Sequence, residues 1–205
     1  MIKNTYPGLF IAFEGLDGSG ASIQASLLAS ILKQEGYRAH LTKEPTDYLI
    51  GGLIKGSLTG EWKTNAETLQ LLFAADRDHH LNKEIIPKLE AGFVVIADRY
   101  SFSSIAYGSL EMDDIKWLEG VNDRFIEPNL TFIIKVRPKI CALRLKQSRY
   151  ELELFREEAK LNKVWKAYEG LAEKHKNVFI IDGEQEEMDI IKEILAIVHK
   201  VLKKA

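Results

Sequence analysis

The segment Gly15-Leu16-Asp17-Gly18-Ser19-Gly20-Ala21-Ser22 constrains this chain more than any other stretch. It fits the phosphate-binding pattern G-x-x-x-x-G-K-[ST] at every position except 21, where alanine stands in place of lysine. An apolar run from Leu9 to Phe13 precedes it and reads as a buried strand. Ile23-Gln24-Ala25-Ser26-Leu27-Leu28 then opens a helical pattern that runs to Gly36. Strand, glycine-rich turn and helix in that order press backbone N–H groups around an anion at the positive end of the helix. Glycine is required because a Cβ would block the turn and hold a phosphate at a distance. Losing the lysine removes a point charge and leaves the backbone cradle. The segment therefore points to a nucleotide phosphate site with an altered catalytic complement. The alternative is a glycine-rich βα turn that holds no ligand.

Further strand-like runs follow at Arg38–Thr42, Phe93–Ala97, Leu130–Val136 and Val178–Ile181. Helical patterns fit 20–35, 49–58, 65–90, 101–107, 113–124, 138–175 (with a break) and 185–204. Strands that are apolar throughout and alternate with helices imply a parallel sheet covered on both faces. The expected fold is α/β: three αβα layers around a five-stranded parallel sheet, in one domain over 1–205, with a short lid at about 144–158. Ligands of such sheets bind beyond the carboxyl ends of the strands, here after Phe13, Thr42, Ala97 and Val136.

Polar residues fall at those places. Lys43-Glu44-Pro45-Thr46-Asp47 follows the second strand and Asp98-Arg99 follows the third. A carboxylate at 98 can hold Mg2+ through waters, with the Ser22 hydroxyl as a second ligand. Arg99 offers a planar fork for phosphate oxygens. Phe73 and Arg77, one helical turn apart, suit a nucleobase by stacking below and hydrogen bonding at an edge. Taken alone, the pair reads more readily as a core phenylalanine and a solvated arginine. His79 and His80 point to different helix faces and read as a hydrated helix end. Arg144, Lys146, Arg149, Arg156 and Lys160 alternate with glutamates, as in a salt-bridged exposed helix or a mobile cover that brings cations onto phosphates.

The chain has 205 residues and a formal charge of −2, which gives no signature for binding a nucleic acid polymer. The one cysteine, Cys141, lies among apolar neighbours and reads as a buried structural thiol. No apolar run approaches membrane-spanning length and no signal-peptide pattern opens the sequence, so the expectation is a cytoplasmic globule without a membrane partner.

Four segments resemble thymidylate kinases of the nucleoside-monophosphate kinase superfamily, in that family's order. They are Phe13-Glu14-Gly15-Leu16-Asp17-Gly18-Ser19-Gly20, Thr42-Lys43-Glu44-Pro45, Leu72-Phe73-Ala74-Ala75-Asp76-Arg77 and Asp98-Arg99-Tyr100-Ser101-Phe102-Ser103-Ser104-Ile105-Ala106-Tyr107. The resemblance implies transfer of the γ-phosphoryl of ATP to dTMP with Mg2+, giving dTDP, by a homodimer. It implies that Gly15, Gly18, Ser19, Gly20, Ala21 and Ser22 hold the donor phosphates, with Ser22 and Asp98 on the metal. Asp17 would meet the acceptor sugar and phosphate, and Lys43 and Arg99 the phosphates. Phe73 would stack on thymine, Arg77 would hydrogen-bond its edge, Ser104 would face the base, and Tyr107 would crowd the sugar 2′ position. Arg144, Lys146 and Arg149 would serve as lid cations.

Three positions depart from the family pattern. Lys43 replaces an arginine and Ile23 a threonine; Ala21 replaces the loop lysine. A charge-assisted hydrogen bond to phosphate contributes about 1.5–3 kcal/mol. Three readings stay open, the first two of them set by the departure at 21. They are an active kinase whose lid cations partly replace the lysine, a weak or silent nucleotide-binding regulator, and a deoxynucleotide kinase of broader acceptor range.

Overall fold

The computed structural model of the chain describes residues 1–145 and 151–203. Among them the strands are β1 Ile2–Lys3, β2 Leu9–Gly15, β3 Ala39–Lys43, β4 Val94–Asp98, β5 Ile126–Glu127, β6 Leu130–Lys135 and β7 Val178–Asp182. The helices are α1 Ala21–Gln34, α2 Leu49–Thr59, α3 Ala66–His80, α4 Ile86–Glu90, α5 Ser101–Gly108, α6 Ile115–Asn122, α7 Pro138–Leu145, α8 Glu151–Lys174 and α9 Glu187–Leu202.

Five strands form one parallel sheet in the order β3-β4-β2-β6-β7. Period-2 alternation splits its apolar residues between two cores. Ile11, Phe13, Val94 and Ile96 join the larger cluster with Leu28, Leu32, Val164 and Ile194 from the helices. Phe10, Ala12, Val95 and Ala97 face the other way, onto Leu81, Ile85 and Leu89. Both faces of the central strands are dry, which accounts for their uninterrupted apolar runs. The expected α/β fold, with helices flanking a five-stranded parallel sheet, is the one observed.

Two details lie outside the sequence reading. β1 and β5 pair in a separate two-stranded sheet, and two-residue strands are too short to show a period. The single helix expected over 65–90 is divided by a π turn at Leu81–Ile85, which buries Leu81 and Ile85 under β2 and β4. α3 is capped where expected, by Asn65, whose side chain accepts from the Thr68 N–H at 2.7 Å. The helical stretch expected at 138–175 comprises α7 and α8. Lys146 and Arg149, and with them part of the expected lid, lie outside the described residues.

The register places the chemistry. Phe13 pairs with Asp98 and Lys43 with Asp98 across adjacent parallel strands. The carboxyl ends of β2, β3 and β4 therefore reach one edge together. The segment after β3 is clamped there: Asp76 on α3 accepts from the Thr46 N–H at 2.8 Å and the Thr46 hydroxyl at 2.6 Å. α2 leaves this clamp through Gly51, where a Cβ would sit 2.1 Å from the Thr46 carbonyl oxygen. Gly51→Ala should therefore lower stability by about 2 kcal/mol through forced backbone shifts. Urea unfolding checks this; a loss below about 0.5 kcal/mol would mean that α2 can move off the clamp at little cost.

Candidate active site

Gly15–Ser22 turns tightly, with the Ser19 N–H donating to the Leu16 carbonyl at 3.0 Å. Gly18 has φ +82°, and a Cβ there would meet the Cys141 carbonyl oxygen at 2.9 Å, so only glycine fits. Gly20, at φ +91°, opens α1. The loop lines a cavity of about 690 Å³ together with Arg99 and Arg144. Arg144 Nη1 donates to the carbonyl oxygens of Gly18 at 3.1 Å and Ser19 at 3.5 Å. These bonds engage loop carbonyls and none of the loop's N–H groups. Ala21 is buried and carries no charge to this cavity.

A second cavity, about 420 Å³, is lined by Ser22, Thr42, Lys43, Asp47 and Asp98. Asp98 Oδ1 is buried without a hydrogen-bond partner among the described residues. An orphaned carboxylate oxygen sharing a cavity with a serine hydroxyl is a hard oxygen donor set, and it fits Mg2+ with retained waters. Lys43 pairs with Asp47 at 3.1 Å. Its neighbours Lys55 and Lys43 hold the Asp47 carboxyl below the usual range. Lys43 lines this cavity rather than the base-sized one described next.

The third cavity, about 280 Å³, gathers Asp17, Phe73, Arg77, Arg99, Ser104 and Tyr107. The solvated arginine weighed above is not what forms: Arg77 is 1% exposed, while Phe73 is the half-buried member of the pair. Arg77 Nε donates to Glu44 Oε2 at 2.9 Å, and Nη2 reaches the same oxygen at 2.7 Å and Ser104 Oγ at 2.9 Å. Nη1 donates to Asn122 Oδ1. His80 is likewise no hydrated helix end. It is fully buried, with Nδ1 3.1 Å from Glu44 Oε1 and Nε2 2.7 Å from Thr42 Oγ1. The helix continues past it through the π turn. His79 is exposed, as expected.

Arg99 adopts φ +71°, outside the ordinary range for a residue with a Cβ. Its Nη1 donates to the Gly15 carbonyl at 3.2 Å and Ser103 Oγ at 3.0 Å, and its Nη2 to Asp17 Oδ1. Its guanidinium lies 5.2 Å from the Tyr107 ring centre. The Asp17 N–H donates to the Tyr107 hydroxyl at 2.8 Å. Burial raises the Tyr107 phenol, partly countered by the Arg99 charge. Asp17 and Arg99 line both the base-sized cavity and the phosphate-loop cavity.

Sequence reasoning missed Glu14 and Tyr168. Glu14 is buried at the end of β2, accepting from the Tyr100 N–H at 3.0 Å, the Ser103 hydroxyl and the Tyr168 hydroxyl at 3.1 Å. Burial pushes its pKa up to about 7, against the lowering effects of the Ser103 hydrogen bond and the Arg99 charge. A carboxylate inside an apolar strand pattern was the available signal. Tyr168 carries no local signal, since its role depends on where α8 packs. Cys141 is buried, and burial raises its thiol to about 11, in keeping with a structural residue.

Residues 13–194 match the family model described as "Thymidylate kinase". The chain is 36% identical over 203 residues to a "Probable thymidylate kinase" of Thermococcus kodakarensis, covering 95% of this chain and 98% of the relative. It is 38% identical over 201 residues to a "Probable thymidylate kinase" of Pyrococcus horikoshii, with 95% and 98% covered. A "Thymidylate kinase" of Caldicellulosiruptor saccharolyticus is 33% identical over 203 residues, with 96% and 98% covered.

Glu14 generates a pH prediction. Its folded pKa is raised, so both states are protonated at low pH, and above 4.5 the unfolded chain ionises first. Stability contributed by Glu14 is thus present below pH 4.5 and lost as pH rises to about 7. Relative to Glu14→Gln, the wild type should lose about 3 kcal/mol between pH 4.5 and 8. Denaturant unfolding of both proteins across that window measures it. A constant difference would show that Glu14 does not titrate there.

Proposed function

The chain belongs to the thymidylate kinase family, and from that premise we propose that it transfers the γ-phosphoryl of ATP to dTMP, with lid cations in part replacing the loop lysine. The observation that carries this reading is the sharing of Asp17 and Arg99 between two cavities, one sized for a base and one lined by the phosphate loop. A guanidinium at that junction reaches acceptor and donor phosphates together, as in-line transfer demands.

Phe73 offers its ring face to thymine, while Arg77 and Ser104 offer donors to its carbonyl edge. Tyr107 closes the cavity beside Asp17 and would crowd a 2′-hydroxyl, favouring deoxyribose. Asp17 accepts from the sugar hydroxyl, and its pairing with Arg99 fixes the orientation of both. The backbone N–H groups of 15–22 bind the donor phosphates at the start of α1. Ser22 and Asp98 would hold Mg2+. Bound there, the ion supplies charge neutralisation on the donor phosphates. The attacking atom is an oxygen of the acceptor phosphate, so no residue forms a covalent intermediate. Lys43 beside this edge supplies a point charge to the acceptor phosphate, without the bidentate geometry of arginine. Arg144, already bonded to the loop carbonyls, and Lys146 and Arg149 supply the positive charge that Ala21 lacks.

Assembly as a homodimer is part of the same proposal. Leu49, Leu53 and Leu58 on α2 and Leu71 on α3 are exposed, and the two helices pack together. Single apolar side chains at a surface are ordinary, but four on two adjoining helices suit a partner. Light scattering should give twice the chain mass, and a monomer with Leu49→Glu plus Leu53→Glu. A wild type that is monomeric at micromolar concentration would exclude the dimer.

A coupled assay of ADP release with dTMP, ATP and Mg2+ tests the activity. Turnover should require dTMP and stop on chelation of Mg2+. Ala21→Lys should raise turnover or leave it unchanged, and Arg149→Ala should cost at least ~10-fold. Nucleotide binding without turnover would favour the regulatory reading. Comparable turnover of dUMP would indicate a broader acceptor range. An undiminished Arg149→Ala protein would refute the compensating charge.

A further inference from the structure

Resting on the acceptor-site reading above, we infer that Gln70 reads the base, accepting the ring N3–H that Arg77, a donor only, cannot receive. Gln70, Phe73 and Arg77 lie at i, i+3 and i+7 on α3 and so share a face. All three line the same 280 Å³ cavity.

The Gln70 side chain is out of place in a purely structural account. It is 8% exposed, and its Oε1 is buried without a hydrogen-bond partner. Among the described residues its carboxamide makes no hydrogen bond at all. A buried amide without a partner opposes folding, so such groups mark places where something else completes the bond. Its position is fixed by Gly108, where a Cβ would stand 3.1 Å from Gln70 Cδ and 3.2 Å from Nε2. The missing side chain at 108 lets the amide lie against the backbone of α5.

The other polar groups of the cavity are committed. Arg77 can only donate. Ser104 Oγ accepts from Arg77 Nη2, which leaves its own proton to donate into the cavity. Glu44 is engaged through one oxygen by Arg77 and through the other by His80. Asp17 is paired with Arg99, and the Tyr107 hydroxyl accepts from the Asp17 N–H. Glu111 is exposed at the margin. Each of these oxygens thus already receives a bond from the protein or lies at the exposed margin, whereas Arg77 offers donors that match a ring carbonyl and cannot receive the N3–H of a 4-oxo pyrimidine. Among the described residues, Gln70 Oε1 is the buried side-chain oxygen of this cavity without a hydrogen-bond partner. The broad terminal torsion of glutamine lets either amide atom face the ligand. One carboxamide can therefore accept from N3–H and donate to an adjacent carbonyl.

The test is Gln70→Met, which keeps length and helix propensity and removes the amide. With dTMP the acceptor KM should rise about tenfold, kcat should stay within about threefold, and the KM for ATP should not change. Wild type should reject N3-methyl-dTMP by about tenfold or more, and Gln70→Met should lose most of that discrimination. The melting temperature of the unliganded variant should be unchanged or higher, because an orphaned amide has been replaced by an apolar group. A lower one would assign the amide a structural role and overturn the inference. An active variant with unchanged KM and unchanged N3-methyl discrimination would also overturn it. Calorimetry with dTMP separates this idea from the kinase reading. A wild type that binds dTMP without turning it over, with affinity weakened by Gln70→Met, sinks the kinase reading alone. Wild type that does not bind dTMP sinks both.

Discussion

The parallel ladder that seats β2 between β4 and β6 is the constraint on which the rest of the structure depends. It brings the carboxyl ends of three strands to one edge, with Phe13 and Lys43 both in register with Asp98. A slip of one residue would turn the Phe10–Ala12 set toward the wrong core and carry the phosphate loop away from Asp98 and Arg99. Two apolar cores of different composition oppose that slip, because each face of the sheet accepts only its own set of side chains. Site geometry is thus secured by burial well below the site.

Above the sheet, polar order is spent on holding guanidinium groups still. Arg77 and Glu44 are buried together, and desolvating both charges costs several kcal/mol per ion unless their remaining hydrogen-bond positions are filled. Here they are filled by Ser104, Asn122 and His80. Removing either partner would strand a charge, so the pair contributes fixed orientation more than net stability. Arg99 is restrained by other means: a left-handed backbone, a carbonyl, a hydroxyl and the Asp17 carboxylate. The Glu14 carboxyl beneath it is held partly neutral near pH 7, which ties the hydrogen-bonded cluster of Ser103, Tyr168 and the β2 end to pH.

Alanine at position 21 leaves that position of the loop uncharged. Gly18 and Gly20 hold left-handed angles, and Gly18 is pressed against the Cys141 carbonyl. The cradle consists of backbone N–H groups, and these need no side chain at 21. Arg144, held on the loop carbonyls from α7, shows that cationic charge can be brought to this edge from another part of the chain.

Much of this was legible in the residues alone. Apolar runs and glycine spacing identified the five-stranded parallel sheet, the loop and the strand-end positions of Lys43, Asp98 and Arg99, because period and turn chemistry are local properties of a chain. Four ordered segments were enough to recognise the family. Tertiary structure decided which polar side chains are buried and what they meet: that Arg77 is enclosed rather than solvated, that His80 bridges Glu44 and Thr42, that Glu14 ends among hydroxyls, and that Gln70 Oε1 has no partner among the described residues. Each depends on groups 27 or more residues away, or on the absence of any among the described residues, and burial of a polar atom is set by packing that no local pattern encodes.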